Sequence, residues 1–218
     1  TMNIANIIGN HPKPLFSFEV LPPLKGKSID EIYNTINPLL EFNPQFINIT
    51  THCEVFDKDG KRTRKRPGTL AVAVAIKHKY NIPVVPHILC GGFTREETEY
   101  VLIDLNFMGI ENLLVLRGDG RNKENYQPEI GGNRNAIDLL RQINDMNHGK
   151  YLNDTEPYSS TVTNFHCGVA GYPEKHYSAT SLEEDIQHLK EKVDAGAQYI
   201  VTQLFFDNQK YYDFVDKC

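Results

Sequence analysis

The sequence predicts an α/β protein, a parallel (β/α)8 barrel of TIM type with only about six βα units present in this chain. Three observations predict it. Short apolar runs alternate six times with amphipathic segments that carry helix-start signals, and such alternation builds a parallel sheet through right-handed crossovers. Most of the runs are rich in Val, Ile and Phe and apolar on both faces, as parallel strands covered on two sides are. Finally, Pro22-Pro23 follows the first run where an open nucleotide-binding sheet carries a glycine-rich loop, and neither GxGxxG nor GxxxxGK[ST] occurs. Polar residues instead recur at strand C-terminal ends: Glu19, Thr50, His87, Arg117-Gly118-Asp119, Tyr172 and Gln203. A barrel brings those ends to one mouth, where barrel active sites lie.

The elements follow in order. Residues 15–20 read as the first strand. Ser28-Ile-Asp-Glu31 has the capping-box pattern and precedes Ile29, Ile32, Ile36 and Leu39 at helical spacing. Residues 46–50 form the second strand, 70–79 a helix and 84–89 the third strand. Thr94-Arg-Glu-Glu97 repeats the box before Val101, Leu102 and Leu105, with Gly109 as the stop. A strand over 112–116 and a helix over 136–146 come next, then a strand over 165–170. Ser181-Leu-Glu-Glu184 opens a helix with Leu182, Ile186, Leu189 and Val193 on one face and Gly196 at its end. A strand over 199–206 and a helix over 208–217 complete the set. Six units rather than eight predict that C-terminal βα units are missing from the chain.

The 218 residues suit one domain, and 40% hydrophobic content is enough for a packed core. Net charge is −5, and the one cationic run, residues 61–66, reads as a solvated loop rather than a nucleic-acid contact. Cys53, Cys90, Cys167 and Cys218 form no CxxC pair, which argues against a zinc knuckle or a dithiol redox motif. No run approaches the ~18 apolar residues of a membrane span, and no signal peptide opens the chain. The expectation is a soluble cytoplasmic protein without nucleic-acid or membrane partners. Polar stretches at 120–134 and 148–164 flank the fourth helix. The first follows a strand C-terminus, so it is either a lid over the mouth or a surface loop.

Several residues can carry chemistry. Glu19 interrupts the apolar run "FSFEVLPP". It either alternates outward into solvent or points into a site, where desolvation would raise its pKa and make it a general acid. "VLRGDG" runs a strand directly into Arg117-Gly118-Asp119. There the arginine can meet an anion, the glycine admits close backbone approach, and the aspartate can meet a cation or donor edge. The alternative is a structural Arg–Asp pair. His87 follows Pro86 at a strand end, and "AGYPEKH" places Tyr172, Glu174 and His176 on one turn. No HxH or HExxH spacing joins these to a metal site. Gln203, in the apolar "TQLFFD", has an amide that needs partners, such as the edge of a ligand heterocycle.

Together "FSFEVLPP", "PHILC", "LRGD", "AGYPEKH" and "KVDAGAQYIVTQLFFD" occur in order and at even spacing from about Phe16 to Cys218. In this the chain resembles the methylenetetrahydrofolate reductase family. The resemblance implies an FAD-bearing barrel that reduces 5,10-methylenetetrahydrofolate to 5-methyltetrahydrofolate with NADH or NADPH, the two substrates taking turns at the flavin. It implies that Glu19 is the general acid toward the folate N10, and that Asp119 binds the pterin and stabilises the cation. It gives Gln203 to folate and nicotinamide in turn. It makes Thr50, Thr51, His87, Arg117, Gly118, Asp119, Tyr172, His176, Asp185 and Lys192 cofactor-contacting positions. His188 and Glu191 depart from a neutral amide and a basic residue found in some relatives. A homo-oligomer is compatible with the resemblance, although no single apolar stripe marks an interface. Two other readings stand beside it: a proline-dehydrogenase-like flavin barrel, or an inactive barrel fragment with a binding role.

Overall fold

The computed structural model describes residues 3–52, 55–56, 62–63, 65–119, 126–153 and 162–218. Six parallel strands form one sheet: β1 (Ser17–Val20), β2 (Phe46–Ile49), β5 (Val84–Leu89), β6 (Asn112–Leu116), β7 (His166–Gly171) and β8 (Ala197–Thr202). Two short strands, β3 (Val55–Phe56) and β4 (Arg62–Thr63), pair antiparallel in the segment after β2. The spatial order in the main sheet is β1-β2-β5-β6-β7-β8, so each new strand adds beside the last. A doubly wound sheet reverses direction at a switch point. This sheet never does, and it forms part of a barrel as the sequence predicts.

The strand register sorts side chains onto two faces. Val20, Ile47, Ile49, Val84, Ile88, Leu113, Val115, Cys167 and Val169 belong to the main core. That core includes the buried faces of α2 (Asp30–Ile36), α3 (Thr69–Tyr80), α4 (Arg95–Phe107), α5 (Ala136–Asn147) and α6 (Leu182–Asp194). The opposite, concave face carries a second cluster of Phe46, Val85, Leu114 and Tyr199. A short helix not anticipated from the sequence, α1 (Ile4–Asn10), adds Ile4 to it. Asn3 caps α1 by accepting from Ala5 N at 2.8 Å, and Asn112 Oδ1 accepts from Ile4 N at 3.0 Å. Asn112 begins β6, so α1 lies at the strands' N-terminal ends.

Gly168 is required by this inner packing. A Cβ there would overlap the ring of Tyr199, whose hydroxyl is pinned to the Leu113 carbonyl at 2.8 Å.

The helix starts differ in detail from the expected boxes. Thr94 and Glu97 form the full reciprocal box, at 3.1 and 2.8 Å. Ser28 accepts from Asp30 N, while Glu31 turns to Lys27 at 3.1 Å. Ser181 accepts from Glu184 N, but the Glu184 carboxylate binds Thr180 instead.

Two expectations are corrected. Val193 is 46% exposed and drops out of the α6 stripe, whereas Leu189 is in the core and Ile186 packs against it as expected; Asp185 and Lys192 also turn inward, to the His176 N–H and the Ala170 carbonyl. The last strand ends at Thr202 rather than continuing to Phe206, and Leu204 and Phe206 are exposed. The helix expected after it is present as α7 (Asn208–Lys217). The cationic run and the candidate lid lie partly outside the described residues.

Candidate active site

A cavity of about 990 Å³ opens at the C-terminal ends of the strands. Glu19, Thr50, Thr51, His87, Arg117, Gly118, Asp119, Tyr172, His176 and Gln203 all line it. Asp185 and Lys192 are not among the lining residues, and neither is Glu174, which pairs with Lys210 at 3.2 Å.

Glu19 is on β1, an edge strand with one neighbour, and its side chain is 55% exposed on the cavity side. Its Oε2 lies 3.5 Å from Nε2 of His87. Partial burial raises the Glu19 pKa above the ordinary carboxylate value, in the direction a proton donor needs. His87 is inside β5, which continues to Leu89. Its side chain is 7% exposed, and its Nε2 has no hydrogen-bond partner among the described residues. Burial, with His52 adding to it, pushes the imidazole down to about 4, so it is neutral near pH 7. The strand that holds it is fastened by Thr51, whose hydroxyl donates to the His87 carbonyl at 2.5 Å.

Arg117 follows β6 and is held by aromatics rather than by Asp119. Its Cζ lies 5.0 Å from the Tyr126 ring centroid and 5.9 Å from that of Tyr177. Its Nη2 donates to the Tyr177 hydroxyl at 3.0 Å. Gly118 has φ +86°, a left-handed conformation that disfavours any side chain. Asp119 follows it, exposed at the mouth.

The loop after β7 carries Tyr172 and His176 edge to face, with centroids 4.6 Å apart. Buried Asp185 accepts from His176 N at 2.8 Å and so fixes this loop. Lys192 Nζ donates to the Ala170 carbonyl at 3.3 Å. Burial lowers its pKa, and so does Arg117, while Asp185 works against the change. Burial also lowers the His176 pKa, again with help from Arg117.

Gln203 is not the buried amide the sequence suggested. Its backbone N donates to the Gly171 carbonyl at 2.8 Å, and its side chain is exposed at the cavity edge because the strand has already ended.

Two residues that sequence reasoning passed over belong to the neighbourhood. Tyr177 supplies both an exposed ring and a partner for Arg117. Asn48 is the one polar residue of the fully buried strand β2, and its Oδ1 has no partner among the described residues. A polar residue inside a four-residue apolar strand was the available signal for Asn48. For Tyr177 there was none, because its contact with Arg117 spans 60 residues.

Comparison with known proteins gives a consistent result. The family model described as methylenetetrahydrofolate reductase matches residues 4–218. A 5,10-methylenetetrahydrofolate reductase of Salmonella typhimurium is 32% identical over 206 residues, covering 93% of this chain and 58% of that protein. Methylenetetrahydrofolate reductase 1 of Schizosaccharomyces pombe is 31% identical, covering 94% of this chain and 30% of its own length. Methylenetetrahydrofolate reductase (NADH) 1 of Arabidopsis thaliana is 30% identical, with 93% and 32% covered. The chain thus spans little more than half the length of the bacterial relative and about a third of the two eukaryotic ones. Among solved structures, a 2,3-dimethylmalate lyase of the PEP mutase/isocitrate lyase superfamily superposes with TM-score 0.58 at 10% identity, covering 98% of this chain and 65% of that one. That likeness concerns the fold alone.

Proposed function

Because this chain belongs to the methylenetetrahydrofolate reductase family, we propose that its cavity is the site of flavin-dependent reduction of 5,10-methylenetetrahydrofolate to 5-methyltetrahydrofolate by NADH or NADPH. The single observation that carries the reading is Glu19: a carboxyl with a raised pKa on the cavity side, beside a neutral buried histidine.

The residues present fit FAD. His87 Nε2 is a buried polar atom without a partner among the described residues, at the cavity wall. Arg117 offers a guanidinium not neutralised by Asp119, and guanidinium suits phosphate. Tyr172, His176 and Tyr177 offer aromatic faces beside it. The volume is at the upper end of the ~300–1,000 Å³ usual for small-molecule sites. Thr50, Thr51, His87, Arg117, Gly118, Tyr172 and His176 would hold the cofactor, with Asp185 and Lys192 shaping the wall behind. The chemistry FAD would supply is hydride exchange, from the reduced nicotinamide in one half-reaction and to the folate in the other.

The chain's own residues provide the rest. Glu19 holds a proton on its carboxyl and delivers it to folate N10. The N10–methylene bond then breaks, its electrons staying with N10, while the N5 lone pair forms the iminium that receives hydride at carbon. Asp119, exposed at the mouth, places a negative charge beside the developing cation. Gln203 offers both a donor and an acceptor to the pterin edge, then to the nicotinamide amide once the folate has left. One cavity serving both substrates in turn gives ping-pong kinetics.

The test is a spectrum of the purified protein, followed by anaerobic NADH and then methylenetetrahydrofolate. A flavin absorbance that bleaches and then recovers supports the reading. Absence of flavin after FAD is added, or bleaching that the folate does not reverse, overturns it.

A further inference from the structure

We propose that Asn48 is a positioning residue for Glu19, its side-chain oxygen accepting the carboxyl proton and so holding Glu19 in the protonated state. The inference rests on the reading of Glu19 as the acid.

Asn48 and Glu19 are direct register partners on adjacent parallel strands. Partners in a ladder project to the same face, about 4.8 Å apart. That face is the concave one: Phe46, two residues before Asn48, belongs to the inner cluster, and Glu19 lines the cavity. Asn48 is 7% exposed, while its flanking residues Ile47 and Ile49 are buried in the main core under the helices.

The chemistry follows from what is missing. Buried polar atoms almost always have partners, and one without a partner costs free energy. Asn48 Oδ1 and His87 Nε2 are two such atoms among the described residues; Glu19 Oε2 lies 3.5 Å from the second, and Glu19 is the register partner of the residue that carries the first. An amide oxygen only accepts. An ionised Glu19 also only accepts, so it cannot satisfy Asn48 Oδ1. A protonated Glu19 can. A hydrogen bond to the neutral form of an acid raises its pKa, in the same direction as desolvation already acts.

The charged groups around Glu19 leave room for this contribution. From β5, His87 faces it at 3.5 Å and is neutral near pH 7. From β2, Asn48 is uncharged. His52, Arg66, Arg117 and Asp119 line the same cavity around it.

The experiment is a pH titration of protein carrying carbon-13 at the Glu and Asn side-chain carbonyl carbons, followed by NMR. Glu19→Gln and Asn48→Leu assign the two signals. In the unsubstituted protein the Asn48 carbonyl shift is expected to move with the midpoint of Glu19. In Asn48→Leu the Glu19 midpoint is expected to fall by about one unit, a tenfold change in proton affinity. Should the leucine variant not fold, Asn48→Val replaces it, and the unsubstituted protein still reports on the coupling. An Asn48 signal that is flat through the Glu19 titration, or a Glu19 midpoint unchanged or higher in the variant, overturns the proposal.

Neither readout uses flavin or folate. If Glu19→Gln kept full folate turnover while the two titrations remained coupled, the acid role would fail and the Asn48 contact would stand.

Discussion

Glu19 Oε2 and His87 Nε2 lie 3.5 Å apart although their strands, β1 and β5, are separated in the sheet by β2. The concave sheet brings them together over the cavity, and burial moves their proton affinities in opposite directions. The carboxyl is pushed toward keeping its proton and the imidazole toward losing it, so near neutral pH their interaction tends away from a charged pair.

Replacing Glu19 with Gln separates the two half-reactions. The amide keeps the shape but has no acid proton. Flavin reduction by NADH is expected to continue, while folate reduction falls by about 10²–10⁴-fold, the usual contribution of a general acid. Stopped-flow measurement of each half-reaction checks this. Equal losses in both would point to a disrupted cavity instead.

Stability is expected to depend on pH through His87. Its folded pKa of about 4 lies below the ordinary 6.5, so between those values the unfolded chain binds more protons. The stabilising contribution is whole above pH 6.5 and is lost as pH falls toward 4, by about 3 kcal/mol in full. Glu19 acts in the opposite sense, because its raised pKa favours the folded state at low pH and that contribution fades as pH rises through it. Urea unfolding of the parent and His87→Gln between pH 7.5 and 4 measures the histidine part. The variant is expected to lose less stability over that range.

Gly168→Ala is expected to destabilise the fold by about 1–3 kcal/mol, the usual cost of overpacking a core. The added methyl meets the Tyr199 ring, which cannot retreat without losing its bond to Leu113. Combining it with Tyr199→Leu should recover part of the loss. Chemical denaturation of the two single variants and the double variant gives the coupling, and strict additivity would show that the ring is free to move.

Arg117→Lys is expected to weaken FAD binding by roughly tenfold. A lysine retains the charge, but it loses the guanidinium's place near the Tyr126 and Tyr177 rings, its bond to the Tyr177 hydroxyl and its fixed planar geometry. Fluorescence titration with FAD measures the change, and an unaltered affinity would remove Arg117 from the binding site.

The alternation of apolar runs with capped amphipathic segments made the parallel α/β architecture and the polar strand ends readable before any coordinates. Local patterning carries that information because strands covered on two faces must be apolar throughout, and helix caps are short-range hydrogen bonds. The stripe on α6 was misread for a related reason. Asp185 and Lys192 face inward because His176 and Ala170 offer them partners, while helical spacing correctly places Ile186 against the core and wrongly adds Val193. The same limitation extended the last strand to Phe206, since "LFFD" is apolar enough for a strand, yet the ladder with β7 closes at the Gln203 N bond to the Gly171 carbonyl.

By itself, then, the sequence determined the α/β alternation, the family, and a short set of polar residues at strand ends. Tertiary structure decided where the strands end, that Glu19 faces a neutral His87, and that Arg117 rests near tyrosines rather than against Asp119. It also showed that Asn48 is the register partner of Glu19 and that its oxygen has no partner among the described residues. These relationships join residues far apart in the chain, and their energies depend on burial and on which partners are within reach, quantities that exist only once the sheet has folded.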